Sequence, residues 1–166
     1  MVKKTDIREI KKSAVEMIND DWALVTAGNA DGFNTMTVSW GGLGEIWGKD
    51  AAFIFIRPQR HTLKYVDDQK MFTLCFFSGE YKKVLTFCGR NSGRDVDKVK
   101  ETGLTPVFDD GTVYFKEASV ILKCRKMARY DLSPDGFIDE SVEENYSNGD
   151  YHKMFIAEIV ETLINE

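Results

Sequence analysis

The sequence predicts a mainly β fold, an antiparallel barrel with short helices inserted between its strands. Four runs are rich in β-branched and aromatic residues and are separated by Gly, Asn and Asp: 22–27, 33–40, 51–56 and 71–77. In two later runs, 112–129 and 151–164, apolar and polar residues largely alternate, which predicts further strands. Because an open sheet of such apolar strands would leave adhesive edges, we expect the barrel to be closed.

The length and charge of the chain narrow its class. Its 166 residues fit a single domain over 1–166 that buries a core without disulfides. The net charge of -5 repels polyanions, which argues against nucleic acid as a partner. No apolar run is long enough to cross a bilayer, and the first residues lead into a charged helix rather than a signal-peptide core. We therefore expect a cytoplasmic protein with no membrane partner.

Helical spacing and turn residues place the other elements. Apolar residues recur at helical spacing over 6–19, which predicts a helix there. The residues Asn29 to Gly32 predict a hairpin turn between the first two strands. Pro58 precedes a short helix over 60–69. The helix over 80–87 ends at the glycines of 89–93, and the helix over 94–102 ends at Gly103. The long run 112–129 must bend or bulge, and 133–150 is a polar, acidic surface excursion.

The cysteines and histidines give little sign of redox or metal chemistry. Cys75, Cys88 and Cys124 are widely spaced and form no CxxC pair, which favours buried, inert thiols. A redox role for Cys88 stays open, since Arg90 is close by in sequence. His61 and His152 have no ligand-like spacing, so no metal site is predicted.

The stretch 34–44 suggests a surface for a flat ring. Polar residues alternate there with apolar ones, the polar set being Asn34, Thr35, Thr37 and Ser39 and the apolar set Met36, Val38 and Trp40. Alternation alone indicates a strand with a solvent-facing stripe of hydroxyls. The glycines that follow, at 41, 42 and 44, are costly in a plain strand and would let backbone amides approach a bound ring.

The stretch 57–62 suggests an anion site. Arg57 and Arg60 flank Pro58 at a helix start, where positive charge is unfavourable unless an anion lies between them. Surface arginines that serve only solubility are the alternative. Thr62 is interpreted as a phosphate contact, and His61 as either a contact or a surface ring. The run 89–98 is either an ordinary helix cap or a second anion-binding helix start.

Taken in order, these motifs resemble the flavin reductase-like family of FMN-binding split-barrel proteins, which includes the flavoredoxins. The resemblance spans nearly the whole chain and is carried by five runs: NTMTVSWGGLGEIWGKD, RPQRHT, FTLCFF, CGRNSGRDVDKVKETGLTP and GDYHKMFIAEI. It implies an antiparallel split β-barrel, mainly β with inserted helices, that forms a homodimer and holds FMN near the subunit interface.

The resemblance also implies a set of cofactor-binding residues. The flavin ring and ribityl chain would be bordered by Asn34, Thr35, Met36 and Thr37, with Ser39 and Trp40 close to the ring. The phosphate would be met by Arg57, Arg60, His61 and Thr62. The pocket would be completed by Ser92, Gly93, Arg94, Asp95 and Lys98.

Three functions remain open from the sequence. The first is an oxidoreductase of flavin reductase type that passes hydride or electrons from NADH or NADPH through FMN to a flavin or other acceptor. The second is a flavoredoxin-like electron carrier or FMN-binding module, supplied by a redox partner protein and without nicotinamide-dependent turnover. The third is a barrel without a cofactor, in which the arginine and hydroxyl runs only cover the surface. No catalytic side chain is predicted, because flavin accepts hydride on its own ring.

Overall fold

A computed structural model describes residues 2–165 of the chain. Eight strands form one antiparallel sheet, and two form a separate hairpin. In chain order the strands are β1 (Val2–Thr5), β2 (Ala23–Asn29), β3 (Gly32–Val38), β4 (Gly41–Ile46), β5 (Lys49–Ile56), β6 (Met71–Phe76), β7 (Pro106–Asp109), β8 (Thr112–Phe115), β9 (Val120–Asp131) and β10 (Lys153–Asn165). The hairpin is β7 with β8.

The large sheet curls into a barrel that stays open. Its strand order is β3-β2-β6-β9-β10-β5-β4, and β1 pairs with the final residues of β10. The two ends of this path, β3 and β4, are consecutive in the chain and do not pair with each other. The antiparallel split barrel is therefore confirmed, and the expectation of a closed barrel is wrong.

Three α-helices lie between the strands: α1 (Thr62–Asp68), α2 (Lys82–Arg90) and α3 (Lys98–Thr102). Segments of 3-10 helix occupy Ile7–Glu9, Gly79–Tyr81, Pro134–Gly136 and Glu140–Tyr146. The predicted helix over 60–69 is confirmed as α1, and α2 continues through Gly89 instead of ending before it. Within residues 2–165, none of the helices has the length and apolar character needed to span a bilayer.

The predicted continuous helix over 6–19 is wrong. The chain forms β1, the 3-10 turn Ile7–Glu9 and then a π-helical turn, Glu16–Asp21. Ser13 and Glu16 explain the break, because the Ser13 N–H donates to the Glu16 carboxylate at 3.1 Å while the Glu16 N–H donates to Ser13 Oγ at 3.2 Å. This reciprocal capping starts a new helix in the middle of the predicted one.

Two other predicted elements are shorter than expected. The helix over 94–102 begins only at Lys98, where Asp97 accepts the Lys100 N–H, and it ends as predicted at Gly103 with φ of 72°. The residues before it form a turn in which Ser92 Oγ accepts the Arg94 N–H at 3.2 Å. The run 112–129 is divided into β8 and β9 rather than bent, although β9 and β10 do pair with bulges. The glycine-rich β4 and the short β7 were not predicted.

The core lies on both faces of the sheet. One cluster, which includes Val25, Ile54 and Phe155, fills the barrel, and the other, which includes Leu85 and Phe115, lies beneath α2. All three cysteines are buried and unpaired, as expected. Burial raises the pKa of the Cys75 thiol to about 12 and that of Cys88 to about 11, so both stay protonated and unreactive.

Candidate functional site

Three adjoining cavities beside β3 contain every predicted site residue. The basic cavity, of about 350 Å³, lies between β3, the start of α1 and the loop before α3. The tryptophan cavity, of about 160 Å³, shares Met36 and Arg60 with it and continues to Trp40. The hairpin cavity, of about 600 Å³, shares Asn34 and Lys98 with the basic cavity and reaches the β2–β3 turn. Residues from three separate runs of sequence are thus brought together.

Positive charge in the basic cavity is not neutralised by carboxylates. The Arg60 guanidinium donates to the Gly89 carbonyl at 3.1 Å, and Arg94 donates to the Gln59 carbonyl at 3.1 Å. Lys98 Nζ donates to the carbonyls of Thr35 and Cys88, each at 2.7 Å. Across residues 2–165, none of these three cations forms an ion pair with a carboxylate within 4.0 Å. The cavity is therefore suited to an anion.

Lys98 is the most informative of these cations, because its side chain is only 6% exposed. Burial lowers the pKa of its ammonium group. A buried charge without a counter-charge is unfavourable, and two carbonyl dipoles compensate it only in part. Burial and the nearby Arg94 also lower the pKa of His61 in the same cavity. An anion among these groups would remove the imbalance.

A close contact joins the loop before α3 to β3. Asn34 Nδ2 donates to Thr62 Oγ1 at 2.8 Å, which ties β3 to the start of α1. A Cβ atom on residue 93 would lie 2.1 Å from Asn34 Oδ1, so only glycine permits this approach. Gly93 therefore allows the run 89–98 to meet the runs 34–44 and 57–62.

The threonine hydroxyls of β3 are already used within the protein. The Thr35 hydroxyl lies 2.8 Å from that of Thr26, and the Thr37 hydroxyl donates to the Leu85 carbonyl of α2. These residues line the cavities, and their hydroxyls do not form the solvent-facing stripe that alternation alone indicates. The glycines of β4 likewise face the protein: Cβ atoms on Gly42 and Gly44 would meet the Phe53 ring.

In the wall of the tryptophan cavity, the charge of Arg57 is paired within the protein. Its wall includes Trp40, whose side chain is 48% exposed, and Arg57. The Arg57 guanidinium pairs with Asp150 at 2.9 Å, donates to the Asn145 carbonyl at 3.0 Å and lies over the Tyr146 ring. Gln59 also donates to Asp150, at 2.8 Å. Arg57 therefore anchors the segment 133–150, and its contact with a phosphate stays a prediction.

His152 is a site residue that sequence reasoning missed. Its ring lines the tryptophan cavity, 5.3 Å from the Trp40 ring between centroids, and its Nδ1 lies 2.8 Å from the Tyr146 hydroxyl. Burial, with Arg57 close by, lowers the pKa of His152 to about 4. The available signal was its position in the run GDYHKMFIAEI, one of those that carry the resemblance.

The open antiparallel barrel and the cationic cavity beside its edge strand define a split-barrel protein with a site for an anionic ligand. The chain belongs to the family described as the flavin reductase like domain, whose model matches residues 18–166. A search of curated proteins found no match.

Solved structures share the fold at low sequence identity. The flavoredoxin of Desulfovibrio vulgaris (Miyazaki F) is 19% identical, with a TM-score of 0.69 over 99% of this chain and 78% of that one. An FMN-binding protein from Thermus thermophilus is 17% identical, with a TM-score of 0.68 over 97% and 77%. The styrene monooxygenase flavin reductase of Pseudomonas putida S12 is 14% identical, with a TM-score of 0.65 over 88% and 80%.

Proposed function

We propose that this protein is an FMN-binding oxidoreductase of flavin reductase type, reduced by NADH or NADPH. The observation that carries the proposal is the uncompensated charge of the basic cavity, above all the buried ammonium group of Lys98. Membership in the flavin reductase like family and the FMN-binding protein among the structural neighbours support the same cofactor.

The residues present fit FMN. In this proposal the phosphate lies among Arg60, Arg94 and Lys98, whose donors are charged, and near Ser92 and Thr62. Met36 and Trp40, which line the tryptophan cavity, would hold the ring. FMN would supply the ring that accepts hydride and releases electrons singly or in pairs. The protein binds, orients and shields this ring from water, and needs no side-chain acid or base for the transfer itself.

FMN titration into apoprotein tests the binding step. Arg60→Ala should weaken FMN binding by about tenfold or more, since a hydrogen bond to a charged group contributes about 1.5–3 kcal/mol. Lys64→Ala, on the neighbouring helix α1, is a matched control that should leave affinity unchanged. Affinity that is equal in wild type and Arg60→Ala would remove the phosphate from this cavity.

Anaerobic stopped-flow absorbance tests the reductase step. Bleaching of the flavin band on mixing with NADH or NADPH is expected. If FMN binds firmly but stays oxidised under excess nicotinamide, the protein is instead an electron carrier of flavoredoxin type that takes electrons from a protein donor. The proposal includes a homodimer in the cytoplasm, and light scattering that shows a monomer at micromolar concentration would contradict the dimer.

A further inference from the structure

Tyr146 and His152 form a buried pair in the wall of the tryptophan cavity. Tyr146 comes from the segment 133–150, and His152 stands directly before β10. Their side chains are largely enclosed, at 5% and 7% exposure, and their rings meet edge to face with centroids 5.5 Å apart. Phe55 and Trp40 pack on the other sides of the imidazole. The imidazole is therefore held in one orientation.

The hydrogen bond between the pair determines where the imidazole proton lies. In the described part of the chain, His152 Nδ1 is the hydrogen-bond partner of the Tyr146 hydroxyl. If Nδ1 carried the proton, the buried hydroxyl hydrogen would have no acceptor there, which is costly. The low pKa of His152 keeps the ring neutral near pH 7. The hydroxyl therefore donates to Nδ1, and the single ring proton resides on Nε2.

The protonated nitrogen, Nε2, is partly accessible. Among residues 2–165, every fully buried side-chain nitrogen or oxygen has a hydrogen-bond partner. His152 Nε2 has none within that range, so it is not fully buried. His152 lines the tryptophan cavity together with Trp40, Arg57 and Arg60. The Nε2–H group is thus partly accessible, on a side chain that lines the space in which the proposed function places the flavin ring.

We propose that Tyr146 is a positioning residue that fixes His152 as a hydrogen-bond donor to the acceptor edge of the flavin ring, at a carbonyl oxygen or an unprotonated ring nitrogen. This inference rests on the proposed function and adds a recognition element for the ring. Arg57 and Asp150 maintain the arrangement, because the Arg57 guanidinium pairs with Asp150 and lies 5.0 Å from the centroid of the Tyr146 ring. The acidic segment 133–150 is thereby part of the site.

NMR of ¹⁵N-histidine-labelled protein tests the inference directly, because the chain contains only two histidines. The variant His152→Gln assigns the signals. Wild-type protein should show the Nε2–H tautomer at His152, and the Nε2 signal should shift when FMN is added. Tyr146→Phe should give a mixture of tautomers and several-fold weaker FMN binding.

Tyr151→Phe is the matched control. Its ring belongs to the same aromatic cluster, but its hydroxyl bonds to the exposed Glu143, away from His152. This variant should keep the wild-type tautomer and FMN affinity. Equal loss of affinity in both variants would mean that only the packing of the cluster matters, and would overturn the role of the Tyr146 hydroxyl.

The wild-type titration separates this inference from the proposed function and does not depend on the folding of any variant. If absorbance shows no FMN binding at all, the proposed function fails. If FMN binds but the His152 Nε2 signal stays in place, the inference fails while the proposed function stands. A shift that appears only when a nicotinamide nucleotide is added to FMN-loaded protein would also overturn the inference.

Discussion

The basic cavity and the tryptophan cavity share Arg60 but treat charge in opposite ways. In the basic cavity, Arg60, Arg94 and Lys98 bond to main-chain carbonyls. In the tryptophan cavity, Arg57 is neutralised by Asp150, and His152 is kept uncharged. The cations of the basic cavity thus lack a carboxylate partner, while the charge of Arg57 is paired and that of His152 is removed by the protein.

This difference separates two arginines that look equivalent in sequence. Arg57 and Arg60 flank the same proline, and either could meet an anion on sequence grounds. In the folded chain, Gln59 and Arg57 together hold the pKa of Asp150 below its usual range, so that carboxylate stays ionised and paired. The carboxylate of Asp150, about 90 residues further along the chain, pairs with Arg57 and leaves Arg60 without a carboxylate partner. Four changes test this contrast.

The largest effect is expected from Lys98→Met. This change removes the buried ammonium group from the basic cavity and should weaken FMN binding by about 10- to 100-fold. Lys100→Met, on the exposed side of the same helix, is the matched control and should bind FMN as wild type does. Isothermal titration calorimetry of both variants measures the difference. Equal affinities would show that Lys98 only supports the loop.

The next effect is expected from Gly93→Ala. The new Cβ would displace Asn34 and its bond to Thr62, which overpacks the wall of the basic cavity. Overpacking of this kind costs about 1–3 kcal/mol, and FMN affinity should fall with stability. Gly79→Ala is the control, because a Cβ there meets nothing within 4 Å. Chemical denaturation of both variants checks the result, and wild-type stability in Gly93→Ala would contradict the close packing.

The neutral histidine predicts a pH dependence of stability. The folded-state pKa of His152 is about 4, below its ordinary value of 6.5, so the unfolded state binds the proton more readily between these values. Stability should therefore fall as the pH decreases, by about 2 kcal/mol between pH 7 and pH 5.

The variant His152→Gln should lack most of that decrease. Most paired carboxylates change the free energy of unfolding only at lower pH, because the pKa values of groups such as Glu158 and Glu161 are themselves lowered. His61→Gln is the comparison, since the pKa of His61 is also lowered. Urea unfolding at several pH values measures the slope, and identical slopes in wild type and His152→Gln would contradict the assignment.

The smallest effect on FMN affinity is expected from Arg57→Ala. Because Arg57 is held by Asp150 and Asn145, its loss should weaken FMN binding much less than Arg60→Ala does. It should instead release the segment 133–150, which hydrogen exchange by mass spectrometry would detect as faster exchange there. If both alanine variants weaken FMN binding equally, the contrast between the two cavities is wrong.

Local patterns in the sequence predicted most of the strands, α1 and the left-handed end of α3 at Gly103. They failed where a polar side chain altered the backbone: reciprocal capping by Ser13 and Glu16 divided the predicted first helix. They also failed at β4, which was not predicted because glycines are costly in a plain strand, yet pairing with β5 forms a strand there. In both places a hydrogen-bonding partner, rather than intrinsic propensity, decided the structure.

The sequence predicted many of the residues that line the three cavities, but not how they are arranged. The runs that contain Asn34, Thr62 and Gly93 were all selected from sequence, and the fold brings them into contact. The hydroxyls of Thr35 and Thr37 were assigned to a ligand, yet their protein partners, Thr26 and Leu85, could be known only from the packed structure. Tyr146 and Asp150 were missed because they lie in a segment without periodicity.

The two-residue connection between the edge strands β3 and β4 limits the distance between the two strand ends that it joins. β3 ends at Val38 and β4 begins at Gly41, so Ser39 and Trp40 alone cross the gap. Three consecutive Cα–Cα steps of 3.8 Å allow at most about 11 Å between Val38 and Gly41. The chain itself therefore acts as a tether of limited length, and the strand ends that frame Trp40 stay within about 11 Å of each other however much the rest of the opening moves.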